Sequence, residues 1–224
     1  MDDALNGLRE ILVPFAQEQV LRFWDRLDGP SRLRLARQIQ SFDFELIDGL
    51  VKTHVPGEVS AEPIDFDPIE VVRLAQTDSE RRAFERARAV GERLLSEARA
   101  ACVVVAGGQG TRLGYDGPKG TFPIAPVSGK SIFQLHVEKI RALAGRLDGS
   151  IPLFVMTRAE NDAVTREFFK RNKNFGLSDE DVFFLVQGTM PAVDFSGKLI
   201  LDAPDHIVEN PNGHGGVMPA LVES

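Results

Sequence analysis

The run VVVAGGQGTRLGYDGPKG, from Val103 to Gly120, constrains this chain more than any other stretch. Its β-branched start reads as a buried strand. The strand empties into Gly107, Gly108, Gly110 and Gly114, and two cations follow, Arg112 and Lys119. Bare backbone approaches a ligand without Cβ interference. A turn placed there aims successive N–H groups at an anion. An arginine fork and a lysine point charge then suit non-bridging phosphate oxygens. The segment is expected to hold phosphate, with Gly107 and Gly108 lying against a flat base and ribose.

What surrounds this run decides its setting. Downstream, SIFQLHVEKIRAL and AENDAVTREFFKRN read as amphipathic helices, while IPLFVMT and DVFFLVQG read as buried strands. Strands alternating with helices, and apolar on both faces, describe an α/β fold with a mainly parallel sheet covered by helices on both faces. Ligands of such sheets sit at the carboxyl ends of the strands. The glycine loop (106–114), Thr157 and Gln187 all fall at such ends. FSGKLILDAPDHIVEN reads as a hairpin turning near APD. NPNGHGGVMPALVES opens with a glycine-rich turn and begins a helix with Val217 and Leu221 on one apolar face.

The first hundred residues read as helical throughout. Leu5, Leu8, Leu12 and Phe15 recur at helical spacing, with Pro14 dividing the segment. A turn at Asp28–Pro30 precedes a helix that Ser31 is expected to cap. Asp67 and Pro68 read as N-cap and first residue of another helix. Thr77 and Glu80 stand at capping-box spacing ahead of a long Arg/Glu-rich helix whose charges form a solvated face. Residues 1–99 are thus expected to form a helical N-terminal region, and 100–224 the N-terminal part of an α/β catalytic domain.

A net charge of −7 gives no global positive field, so neither nucleic acid nor a membrane is an expected partner. No apolar run approaches the ~20 residues needed to span a bilayer. The start MDDALNGLRE does not read as a secretory signal, and the single Cys102 inside a strand reads as a small buried hydrophobe; the expected location is cytoplasmic. Nothing in the pattern specifies an oligomeric state.

Several phosphate-holding motifs are excluded by spacing. GKS occurs at Gly129–Ser131, but Ile124 stands where a P-loop needs its first glycine. Gly108, Gly110 and Gly114 give G-x-G-x-x-x-G, one residue longer than the dinucleotide fingerprint. No G-x-S-x-G elbow occurs. His206 and His214 are too isolated to suggest a metal.

What remains, AGGQGTRLGYDGPKG, resembles the signature of eukaryotic-type UDP-sugar pyrophosphorylases, most closely the UDP-N-acetylhexosamine (UDP-N-acetylglucosamine) group. IPLFVMTRAENDAVTREFFKRNKNFGL, VFFLVQGTMPAVDFSGKLIL and NPNGHGG resemble later blocks of that family in the right order. The resemblance implies a nucleotide-diphospho-sugar transferase (Rossmann-like) fold and a UTP:sugar-1-phosphate uridylyltransferase, with UTP, a sugar 1-phosphate and Mg²⁺. It implies that Ala106, Gly107 and Gly108 line the uridine pocket and that Arg112 and Lys119 hold and polarise the phosphates as the catalytic cations. Gln187 would read the uracil edge, although its amide suits more than one base. Gly213 would lie beside the nucleotide and His214 beside the sugar phosphate. The family usually carries asparagine where His214 stands, whereas glucose-type relatives often show GHG, which leaves the sugar open. The family's metal-binding aspartate, sugar segments and second lysine lie beyond Ser224. The chain is therefore expected to be a truncated product that holds no metal ligand of its own and binds UTP with little or no turnover. The alternative readings are a non-catalytic uridine-nucleotide-binding remnant and a UDP-glucose-type enzyme.

Overall fold

The computed structural model describes residues 2–55 and 67–222. The described residues fall into two compact units that do not follow chain order. One draws on Met1–Pro68 and Thr189–Asn212, the other on Ile69–Gly188 and Gly213–Ser224. Along the chain, helices give way to strands between Ser96 and Cys102.

The first unit begins with helix α1 (Asp2–Leu12), which passes at Pro14 into a short 3₁₀ turn, Val13–Phe15. Helices α2 (Gly29–Ser41) and α3 (Phe44–His54) follow. The cap of α2 is Asp28 rather than Ser31. Its carboxylate accepts the Ser31 N–H at 2.8 Å, because Pro30 in the first turn suits a helix that starts at Gly29, with its cap three residues ahead of Ser31. Leu8, Leu12, Val20, Trp24, Leu35, Ile39 and Phe44 close the core with Leu199 and Ile207 from the distant part of the unit. Those two residues belong to an irregular antiparallel region. Gln17 donates Nε2 to the Gly197 carbonyl at 2.8 Å, and its Oε1 accepts the Leu199 N–H at 2.9 Å. Gln38 serves both backbone groups of Ile207 in the same way, at 2.7 and 2.8 Å. Side-chain amides thus replace a neighbouring strand for otherwise unpaired backbone groups.

In the second unit, α4 (Asp78–Ser96) starts at the expected capping box. The Glu80 N–H donates to Thr77 Oγ1 at 3.2 Å, and the Thr77 N–H donates to Glu80 Oε2 at 2.9 Å. The helix expected from Asp67 does not form: residues 67–76 carry no regular structure, and Ile69, Val71, Val72 and Leu74 are exposed. Capping residues cannot offset helix nucleation when the apolar face has nothing to bury against among the described residues. The rest of the predicted helical stretch, 56–66, lies outside the described residues.

Strands β1 (Cys102–Val105), β2 (Leu153–Thr157) and β3 (Val182–Val186) form a parallel sheet in that order, connected through α5 (Ile132–Leu147) and α6 (Ala159–Arg171). On one face Val104, Leu153 and Val155 pack with Phe133, Val137 and Ile140 of α5 and Phe169 of α6. The Phe133 and Phe169 rings meet edge-on at 5.0 Å, a geometry that adds about 1 kcal/mol to area burial. On the other face, Phe154, Met156 and Leu185 meet a short closing helix. β1 is not fully buried as its composition implied: it is an edge strand with Val103 and Val105 41% and 48% exposed. An apolar run reports the capacity to be covered, and the described residues cover only one side of this strand.

The chain then forms two small antiparallel pairs, β4 (Thr189–Pro191) with the later Glu209–Pro211, and β5 (Leu201–Ala203) with β6 (His206–Ile207). The second is the hairpin expected near APD. Strand β7 (Glu209–Pro211) and helix α7 (Val217–Val222) complete the described chain, and α7 is the helix that packs Val217, Ala220 and Leu221 on the second sheet face. No helix among the described residues is long and apolar enough to cross a membrane.

Candidate functional site

The loop after β1 is closed, not slack. The Ala106 N–H continues the sheet to the Met156 carbonyl at 2.7 Å, and the Ala106 carbonyl accepts from Asn161 Nδ2 at 3.1 Å. The chain then turns back on itself. The Lys119 N–H donates to the Gly108 carbonyl at 2.9 Å, the Gly110 N–H to the Gly117 carbonyl at 2.8 Å, and Gln109 bridges Pro118. Between them Thr111–Leu113 make a 3₁₀ turn, and the Tyr115 hydroxyl bonds Thr121 Oγ1 at 2.9 Å. Gly120 is where the returning chain crosses Phe133: a Cβ there would lie 2.2 Å from the ring. The returning backbone therefore sets Lys119 beside Gly108.

Ala106, Gly108 and Lys119 line one cleft of about 340 Å³, together with Phe133 and His136. Lys119 and Arg112 are both exposed. In a chain of net charge −7, these side chains give the loop a local positive field.

A second group forms at the ends of β2 and β3. The Gln187 N–H donates to the Thr157 carbonyl at 2.8 Å, extending the parallel ladder by one step. Buried Thr157 donates Oγ1 to Asp162 at 2.6 Å. The Gln187 side chain donates Nε2 to the Gly213 carbonyl at 2.8 Å, which fixes its amide with Oε1 toward Gly107. Gly107 itself is buried against Arg158. A Cβ on it would meet Arg158 Cγ at 2.6 Å and Cδ at 2.9 Å, with Gln187 Oε1 at 3.6 Å. Nothing lies within 4 Å of the corresponding point on Gly108.

The structure thus gathers Ala106, Gly108 and Lys119 on one cleft, and Gly107 against Arg158 with Gln187 reaching from there to the Gly213 carbonyl. Arg112 is not among the residues lining that cleft, and Gly213 and His214 are exposed. Two contributors escaped the sequence reading. Arg158 directly follows Thr157, the end of β2 to which the strand-end rule points. Asn161 is buried, holding the Arg158 N–H through Oδ1 at 2.9 Å and the Ala106 carbonyl through Nδ2. Its only sequence signal is its place in the first turn of α6. His206 pairs with Asp202 at 2.6 Å, an ordinary surface contact. Among the described residues no group of three or more His, Cys, Asp or Glu is placed to hold a metal ion.

Comparison with known proteins adds an independent line. UDP-N-acetylglucosamine diphosphorylase 1 of Arabidopsis thaliana is 32% identical over 96% of this chain and 45% of its own length. The human UDP-N-acetylhexosamine pyrophosphorylase-like protein 1 is 34% identical over 96% of this chain and 45% of its own length. The chain therefore spans about half the length of the curated relatives it matches. Among solved structures, the uridine diphosphate N-acetylglucosamine pyrophosphorylase of Trypanosoma brucei, in complex with an inhibitor, superposes with a TM-score of 0.73 at 30% identity. The match covers 99% of this chain and 45% of that one. A mutant UDP-glucose pyrophosphorylase of Leishmania major, at 16% identity and a TM-score of 0.54 over 92% of this chain and 39% of its own, shares the fold alone. The profile of one family matches residues 49–224, and with these relatives it places the chain: it belongs to the UTP–glucose-1-phosphate uridylyltransferase family.

Proposed function

We propose that this chain carries the nucleotide half of a UTP:sugar-1-phosphate uridylyltransferase site, of the kind that forms UDP-N-acetylglucosamine or a related UDP-hexose. The observation that supports this most is the closed glycine loop at the carboxyl end of β1, with the Lys119 N–H tied to Gly108 at 2.9 Å and both residues lining the cleft. In the reaction, a sugar 1-phosphate oxygen attacks the α-phosphorus of UTP, the bond to the β-phosphate oxygen breaks, and pyrophosphate leaves. No enzyme nucleophile is required. The protein's part is in-line positioning and stabilisation of charge on the phosphoryl oxygens.

In this reading the backbone of Ala106, Gly107 and Gly108 borders the uridine, with Gly213 beside it and Gln187 on the base edge. Lys119 and Arg112 hold the phosphates and offset the charge that develops as pyrophosphate departs. His214 lies beside the sugar phosphate. Magnesium enters with the nucleotide as Mg·UTP. This chain's part toward it is played by the cations and backbone of the glycine loop. We take the sheet as the start of a Rossmann-like nucleotide-diphospho-sugar transferase fold, supported by α5 and α6 on one face and α7 on the other. A cytoplasmic setting is in keeping with Cys102, a free thiol whose pKa burial raises. Neither nucleic acid nor a membrane enters the reading.

The test is calorimetric titration with Mg·UTP, with Mg·ATP and Mg·TTP as controls. Saturable binding that prefers UTP and weakens in Lys119→Ala is expected. A folded chain that binds none of the three would overturn the nucleotide assignment.

A further inference from the structure

Arg158 holds a position that the proposed roles leave unused. Its backbone is anchored, because Asn161 bonds both the Arg158 N–H and the Ala106 carbonyl, so the start of α6 is locked to the end of β1. Its stem crosses Gly107, with Cγ and Cδ 2.6 and 2.9 Å from where a Cβ would stand. Gln187 Oε1 faces the same point at 3.6 Å. One bond beyond Cδ lies Nε, which is buried and makes no hydrogen bond among the described residues. The exposed Glu160 carboxylate stands 3.4 Å from that Nε without a hydrogen bond to it, and accepts from an Nη at 3.5 Å. A buried donor left unmet is costly, and a ligand acceptor removes that cost.

We infer that Arg158 contacts the base in the nucleotide site and, with Gln187, selects an imide edge such as that of uracil. The inference rests on the nucleotide reading proposed above. A guanidinium only donates, and an amide oxygen only accepts. Side by side they match a carbonyl oxygen next to a ring N–H, the pattern on uracil. Cytosine presents the reverse polarity on that edge, a ring nitrogen acceptor beside an exocyclic amine. Facing it, the donor of Arg158 would meet an amine and the oxygen of Gln187 a lone pair. Gly107 is then a glycine because the arginine stem occupies the space of its side chain.

The test is the ratio of Mg·UTP to Mg·CTP affinity, measured by calorimetry on the intact chain. Arg158→Met keeps a stem over Gly107 and removes the donors. Arg158→Lys keeps stem and charge but loses the planar fork. Removing a cation weakens both triphosphates alike, so the ratio, not either affinity, reports base contact. We expect the ratio to fall about tenfold in Arg158→Met and less in Arg158→Lys, a tenfold change being 1.4 kcal/mol. An unaltered ratio in whichever arginine variant is folded by circular dichroism overturns the inference while the nucleotide reading stands. A folded wild-type chain that binds neither nucleotide overturns both.

Discussion

Gln17 and Arg158 are both polar side chains that meet bare backbone beside a glycine, and they end differently. Gln17 is buried and spends its donor on Gly197 and its acceptor on Leu199, so the amide completes the fold and offers nothing further to either group. Arg158 crosses Gly107 with its Nε buried and without a hydrogen bond among the described residues, the Glu160 carboxylate standing 3.4 Å away. A satisfied group in a core is structure, whereas an unsatisfied one at the carboxyl ends of parallel strands is an invitation to a ligand. The same distinction separates the capping carboxylates of the first unit from Lys119, whose backbone is fully engaged while its ammonium stands exposed.

The sharpest break falls on Gly120. Its Cβ would stand 2.2 Å from the ring of Phe133, which is itself packed in the sheet core, so neither partner yields cheaply. Gly120→Ala is expected to destabilise the second unit by about 3 kcal/mol, the upper end of overpacking costs, and urea denaturation reads it directly. Gln17→Ala should follow at about 2 kcal/mol, since it strands a buried carbonyl and an N–H together. Trp24, the only tryptophan and part of the same core, reports that loss by fluorescence. Nucleotide affinity measured below the transition should not move. Lys119→Ala inverts the pattern: stability stays within about 0.5 kcal/mol, and Mg·UTP affinity falls about tenfold, as for a charge-assisted phosphate contact. If Lys119→Ala unfolds the chain or Gln17→Ala changes nucleotide affinity, the contrast is wrong.

The smallest effect is on acid stability. Asp194 accepts the Lys198 N–H, the Ser196 hydroxyl and the Ser196 N–H, which hold its carboxyl below the usual carboxylate range. The Ser31 N–H does the same for Asp28, and the Arg34 guanidinium for Asp205. All three belong to the first unit. Because the folded values lie below the unfolded ones, the unfolded chain takes up protons first as pH falls. Their stabilisation is fully present above the unfolded pKa and is lost as pH drops through the lower folded values. The Trp24 unfolding midpoint should therefore decline below about pH 4, and Asp194→Asn should flatten that decline.

How far the sequence reached depended on the range of the physics involved. Thr77 with Glu80 was legible because a capping box is settled within four residues. Asp67 carried an equally local signal and failed, because a helix also needs somewhere to bury Ile69, Val72 and their neighbours. The loop from Ala106 to Lys119 was legible as a phosphate-holding turn. Its closure, with Lys119 folded back onto Gly108, was not, since that bond joins residues eleven apart through a tyrosine packed on Gly110. Asn161 and Arg158 were illegible for a similar reason: an asparagine in a helix's first turn and an arginine after a strand are common, and only proximity to β1 gives them a role.

The order of strands and helices, the glycine loop at a strand end and the two cations were determined by the sequence itself, because periodicity, β-branching and the absence of a Cβ act within a few residues. The tertiary structure decided which apolar strand faces found cover, and it set Gln17 on Gly197 and Leu199 and Gln38 on Ile207 to finish a distant antiparallel region. It also laid Arg158 across Gly107 beside Gln187 Oε1. These outcomes depend on which groups meet once the chain is closed, and burial and hydrogen-bond satisfaction are properties of that meeting rather than of any residue alone.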